Sequence, residues 1–274
     1  MVDDFRYRLN IASIQENKDE FRKLRTAYTE FKKISPTDNR GFFYMAGYHG
    51  VPGFFCWHNQ RSYRVILRGR VFLSWHRIYL HQFEQELRRI SNSDVTIPWW
   101  DWTSEETRKN GIPSAFAEKE IEGEPNPLYN SEIPFTLPPG ISSTTERGDK
   151  DRFLDTIRRR IPTWDELQRQ IRTRSDYGDF DDYLEGLHNT IHNAVGGHMA
   201  NVPVASFDPI FWSHHAMVDR IWYLWQLEHG YETGLENMLN LPLAPFDAIV
   251  RDSLRTVELG YDYADNVVKV SALS

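Results

Sequence analysis

Apolar residues recur at steps of three and four in four stretches of the chain, the spacing that puts side chains on one side of a helix. In "NKDEFRKLRTAYTEFKKI" (17–34) the stripe is Phe21, Leu24, Tyr28 and Phe31. In "FLSWHRIYLHQFEQELRRI" (72–90) it is Trp75, Tyr79, Phe83, Leu87 and Ile90. The third, "DDYLEGLHNTIHNAV" (181–195), runs into Gly196-Gly197, a C-terminal stop. The fourth, 208–228, has Asp208 as N-cap and Pro209 in the first turn. Residues 103–150 are rich in Pro, Gly and Ser and predict irregular surface structure rather than a linker. Short strands are expected near 5–9, 63–67 and 266–270. Together these elements predict a mainly α, single-domain protein built on a four-helix bundle with long irregular loops.

Composition supports a sizeable core: 40% of the 274 residues are hydrophobic and nine are tryptophan. Net charge is −7, with no long run of one sign, so nucleic acid is not an expected partner. Cys56 is the only cysteine, which rules out an internal disulfide. No stretch approaches 18 consecutive apolar residues, and no membrane partner is expected. The N-terminus lacks the apolar region of a secretory signal, so the expected location is cytoplasmic. Export alongside a partner protein would leave no trace.

The ten histidines change the picture. His49, His58 and His76 lie on or before the second helix, and His188, His192 and His215 on the third and fourth. His188 and His192 are four apart, which stacks both imidazoles on one face, able to share an ion. His214 and His215 are adjacent, about 100° apart around a helix, so both are not expected to face one site, and spacing alone leaves open which meets a metal. A di-iron bundle needs Glu plus Glu-x-x-His pairs across its helices, and that full pattern is missing. Zinc would be satisfied by three histidines and a water. Two three-histidine sets on facing helices favour a pair of copper ions, with a zinc hydrolase as the alternative.

The segments "FLSWHRIYLHQFEQEL", "IPWWDW", "LEGLHNTIHNAVGGHM" and "DPIFWSHHAMVDRIW" resemble the two copper-binding regions of type 3 copper proteins: tyrosinases, catechol oxidases and molluscan-type hemocyanins. The resemblance covers most of 40–230. It implies a tyrosinase-like catalytic domain over 1–274 enclosing a binuclear copper site, with no C-terminal shielding domain. The implied ligands of the second copper are His188, His192 and His215, since the family uses the second residue of its His-His pair. His49 in "GYHG" and His76 in "SWHR" match the first copper. The family's middle ligand sits nine positions before the second of these, where this chain has Leu67. Cys56-Trp57-His58 resembles the family's Cys-x-His, whose sulfur is bonded to the imidazole as a thioether. His58 is therefore the expected third ligand, Cys56–His58 the expected crosslink, and 60–68 an apparent insertion.

The resemblance also implies chemistry. Two copper ions would bind O2 as co-substrate beside a small phenolic substrate. Glu185, three before His188, and Asn189, just after it, match the pair that holds a water accepting the phenol proton. Phe211 resembles an aromatic gate, while Asn193 and Val202 match substrate-contacting positions. Tyr261-x-Tyr263 resembles the closing motif that meets an N-terminal arginine, here Arg8. Asp219, four after His215, either orients an imidazole or pairs with such an arginine. The expected function is that of a tyrosinase: ortho-hydroxylation of monophenols and oxidation of o-diphenols to o-quinones. A catechol or o-aminophenol oxidase is the alternative, and an oxygen carrier a further one. A homo-oligomer and a copper chaperone are partners the sequence leaves open.

Overall fold

A computed structural model describes residues 5–53, 55–56 and 70–264. His58, the stretch 60–68 and the strands expected at 63–67 and 266–270 lie outside the described residues. After strand β1 (Arg6–Arg8) come α1 (Ile11–Glu16), α2 (Lys18–Lys32), α3 (Phe42–Gly47) and α4 (Phe72–Ser91). Next are α5 (Glu105–Asn110), α6 (Ser114–Ala117), a two-stranded hairpin of β2 (Glu120–Ile121) and β3 (Glu124–Pro125), α7 (Lys150–Arg160) and α8 (Trp164–Thr173). The last described elements are α9 (Tyr177–Val195), α10 (Ile210–His229) and β4 (Tyr261–Tyr263).

Local chemistry explains the helix ends. Asn17 accepts hydrogen bonds from the amides of Asp19 and Glu20 and so starts α2. Asp176 does the same for α9 through Asp179 N at 2.9 Å. Gly196, at φ 70°, ends α9 in a conformation that L side chains rarely adopt. Asp208 Oδ1 accepts from Ile210 N at 3.1 Å, so its side chain caps α10 even though Pro209 is the residue that precedes the first helical turn.

The mainly helical architecture is the expected one. Helix α4 packs between α2 and α10, and α9 packs against both α4 and α10. The three helices that carry histidine pairs or single ligands thus meet in the interior. Their contact is aromatic: Phe83 and Trp212 stack with ring centroids 3.4 Å apart, and both are fully buried. A buried ionic knot lies one turn beyond His215. Asp219 accepts from Arg77 Nε (2.5 Å), Arg8 Nη1 (3.1 Å), Tyr261 OH (2.6 Å) and Tyr263 OH (2.5 Å). Of the two readings open for Asp219, the ion pair with an arginine is the one observed. β1 and β4 pair in parallel, Arg6 opposite Tyr261, which brings the first and last described strands to this knot.

Six of the described helices were not expected: the one- or two-turn α1, α3, α5 and α6, and the longer α7 and α8. The signals of the last two are local: Asp149 caps α7, and Thr163 with Glu166 forms a capping box for α8. Both are short and surrounded by arginines, which masks stripes made of only Phe153, Leu154 and Ile157, or Leu167 and Ile171. The stretch 103–150 is largely irregular, as expected, with the short α5, α6 and the hairpin set into it. Among the described residues no helix is long and apolar enough to cross a membrane.

Candidate metal centre

Helix α9 turns its interior face so that His188 and His192 point at α10. His188 Nε2 lies 3.2 Å from His215 Nε2, and His192 Nε2 lies 3.3 Å from the same atom. An ion bonded to imidazoles at about 2.0–2.1 Å in tetrahedral geometry separates neighbouring nitrogens by roughly 3.3 Å. The three nitrogens therefore fit one ion. His214 is not turned away from them. Its ring lies parallel to that of His188 at 5.2 Å and edge-on to His192 at 4.8 Å, in the same group of four buried imidazoles. Adjacent residues diverge around α10, but α9 lies across both and its two histidines reach each of them.

A second group adjoins the first. His49, at the end of α3, His76, in the first turns of α4, and Cys56 bring their ligand atoms within 4.8 Å of one another. Cys56 is buried, with its sulfur 3.9 Å from His76 Nε2. His76 stacks on His215 with centroids 4.4 Å apart and rings 16° from parallel, so the two groups share a boundary. His58, expected as the third ligand and as the partner of Cys56, lies outside the described residues.

Hydrogen bonds fix which nitrogen faces inward. His76 Nδ1 donates to Phe72 O (2.8 Å), His192 Nδ1 to Met199 O (2.7 Å) and His49 Nδ1 to Val202 O (3.1 Å). Each leaves the Nε2 lone pair for a metal, the arrangement that outer hydrogen bonds impose on ligating histidines. Burial also disfavours protonation of His192, His214 and His215. It lowers the His192 pKa to about 4 against the support of Met199 O and Asp208. It holds His214 and His215 well below the usual range, with neighbouring imidazoles adding to the effect. Neutral imidazole is the form that binds a metal.

A cavity of about 100 Å³ opens onto these rings, lined by His49, His188, Asn189, His192, Asn193, Met199, Ala200 and Val202. Val202 stands at its rim, 38% exposed. Asn193 is exposed and donates its amide to Asn189 O at 2.9 Å. A larger surface hollow of about 860 Å³, with Arg22, Arg25, Lys32 and Glu122 among its lining, lies elsewhere. The imidazoles, not the volume, mark the smaller one as the candidate site. Its described lining does not include Glu185 or Phe211. Glu185 is half-buried on α9, one turn before His188. Phe211 is fully buried, 4.1 Å from the His215 ring and 4.8 Å from that of His49, and so forms a wall joining the two groups.

Phe72 has a similar place and was not singled out in the sequence. Its ring lies 4.6 Å from His76 and 4.8 Å from His188. The signal was its position one turn before His76 in an apolar run. His198, in contrast, is structural: its Nδ1 accepts from Glu146 N (3.0 Å) and its Nε2 donates to Ser142 O (2.8 Å).

A helical bundle whose interior presents two adjoining sets of buried imidazoles is the scaffold of a binuclear metal protein of the type 3 copper class. The common central domain of tyrosinase matches residues 39–228, and the chain belongs to that family. It is similar to an octopus hemocyanin, A-type units Ode to Odg of Enteroctopus dofleini, at 32% identity over 87% of this chain and 20% of that protein. The chain thus spans about a fifth of that relative's length. Tyrosinase HcTyr2 of Hahella sp. is 25% identical over 80% of this chain and 59% of its own. Among solved structures, a functional unit of octopus hemocyanin superposes with a TM-score of 0.73 at 25% identity, covering 97% of this chain and 72% of that one. A tyrosinase from Burkholderia thailandensis shares the fold with a TM-score of 0.72 at 21% identity, over 98% and 77% of the two chains.

Proposed function

We propose that the protein is a tyrosinase, using two copper ions and O2 to hydroxylate monophenols at the ortho position and to oxidise o-diphenols to o-quinones. The observation that carries this reading is the meeting of two imidazole groups at one boundary, His76 stacked on His215, beside a cavity open to solvent. His188, His192 and His215 would hold one ion, and His49, His76 and His58 the other. Bound there, copper would supply the redox chemistry that O2 requires. The remaining work belongs to the chain. Three imidazoles per ion would leave coordination positions for small ligands, and Phe211 walls the side where the two groups meet.

In this reading Glu185 is the general base. It sits half-buried on the face of α9 that carries His188, one turn before that imidazole. Asn189 lines the cavity and would orient the water that relays the phenol proton. Val202 and Asn193 would meet the phenol ring at the rim. A second reading, reversible oxygen carriage, draws on the 32% identity to a hemocyanin. A catechol or o-aminophenol oxidase is a third. Initial rates on L-tyrosine and L-DOPA with the copper-loaded protein separate them. Turnover of both supports the tyrosinase reading. Diphenol turnover alone selects the oxidase, and reversible O2 binding without turnover selects the carrier.

A further inference from the structure

Residues 197–203 form a tight turn between α9 and α10, and its carbonyls reach both imidazole groups. Met199 O accepts from His192 Nδ1 at 2.7 Å, and Val202 O accepts from His49 Nδ1 at 3.1 Å. One short backbone segment thus sets the tautomer of a candidate ligand in each group. Met199, Ala200 and Val202 also line the cavity.

The turn is held at both ends by close backbone approach. At one end a Cβ on Gly50 would stand 1.7 Å from Pro203 O, far inside contact distance. Only glycine lets the chain after His49 lie this close, and Val51 N then donates to Pro203 O at 2.9 Å. At the other end Gly197, at φ 54°, would place a Cβ 2.1 Å from Glu146 O, and His198 N donates to that oxygen at 2.9 Å. His198 adds its own ring bonds to the 142–146 strap.

We propose that the Met199–Val202 turn is one clamp shared by the two metal groups, with Gly50 and Gly197 as the positioning residues that let it reach each of them. This rests on the two-ion reading of the site but not on the phenol chemistry. An alanine at 50 forces Pro203 away and draws the Val202 carbonyl off His49, leaving His192 bound to Met199. An alanine at 197 does the reverse.

The test is copper affinity in backgrounds that keep one group at a time. His192→Ala leaves the group of His49 and His76 intact, and His76→Ala leaves the group of His188, His192 and His215. Adding Gly50→Ala to the first background weakens copper binding by about 10–100-fold, the usual effect of losing a hydrogen-bond partner behind a ligating histidine. Added to the second background, it changes binding less than about threefold. Gly197→Ala shows the opposite preference. The clamp is overturned if Gly50→Ala leaves the affinity of the His49 group unchanged, or if both glycine variants weaken both groups alike. A second measurement needs no variant. The ¹⁵N spectrum of the metal-free wild type must show His49 and His192 both protonated at Nδ1, and Nε2 protonation of either contradicts the clamp. Failure of the wild type to take up two coppers would instead strike the two-ion reading itself.

Discussion

Replacing Asp219 with alanine is expected to loosen the bundle where the ligand helix is anchored. In the native protein the Asp219 carboxylate accepts four hydrogen bonds from groups that are themselves buried, two of them from arginines. Arg8 keeps a second carboxylate, Glu84, at 2.9 Å. Arg77 does not: its remaining partners are Gln226 at 2.7 Å and the carbonyls of Ser253, Leu254 and Asp219 at 2.9, 3.1 and 3.4 Å, all neutral. The substitution therefore leaves one fully buried guanidinium charge uncompensated. Breaking a buried ion pair from one side costs about 3–5 kcal/mol. For a chain of this size that corresponds to a fall in melting temperature of roughly 6–20 °C. Asp219→Asn keeps the side-chain shape but not the charge, and should fall by a similar amount, which separates lost charge from lost volume. The assay is thermal and denaturant unfolding of the metal-free protein near neutral pH. Burial pushes the Asp219 carboxyl up, but Arg77, Arg8 and the two tyrosine hydroxyls outweigh it and hold its pKa below the ordinary value. Its contribution is therefore fully present above about pH 4 and is lost only as pH falls through the lower, folded value. A loss of less than about 1 kcal/mol for both variants at neutral pH would refute the reasoning.

Four further outcomes are expected. The metal-free protein should lose stability between pH 7 and 5, because His192 is held at about 4 when folded and returns to about 6.5 when unfolded. The unfolded chain then binds the extra proton, so this one residue costs about 2 kcal/mol at pH 5, measurable as a shift in urea midpoint. Glu185→Gln should lower monophenol turnover by about 100-fold or more while diphenol turnover changes only a few-fold; equal losses would remove the base assignment. Phe72→Ala should destabilise the fold by about 3–5 kcal/mol, read from denaturant unfolding, since its fully buried ring packs between His76 and His188. Val202→Phe should raise KM for phenols without changing copper content, because Val202 sits at the cavity rim and its carbonyl, not its side chain, serves His49.

Much of the fold was legible because its helices declare themselves. The stripes through Phe21–Phe31 and Trp75–Ile90 pack as their periodicity implies, and Gly196 stops α9 where the pattern ends. α7 and α8 were lost among arginines, since a helix that buries two or three residues carries little periodic signal. The four-residue step from His188 to His192 placed two imidazoles on one face of α9. What could not be read was the tertiary contact. His214 lies in the same cluster as His215 because α9 crosses both, and Phe72 joins two groups because α4 meets α9 there. The carbonyls of Met199 and Val202 carry no side-chain signature, so their part in orienting His192 and His49 emerges only once the turn is folded. Asp219, which from spacing could have served an imidazole or an arginine, was decided by Arg8 and Arg77 arriving from distant segments.

The central claim is that two imidazole groups seat two ions side by side. Copper titration of the purified full chain, read by elemental analysis after gel filtration, tests it most directly. Two coppers per chain are expected in the wild type, with His215→Ala and His76→Ala each retaining one. A wild-type chain that saturates with a single copper, or that loses both when His215 alone is replaced, would contradict it.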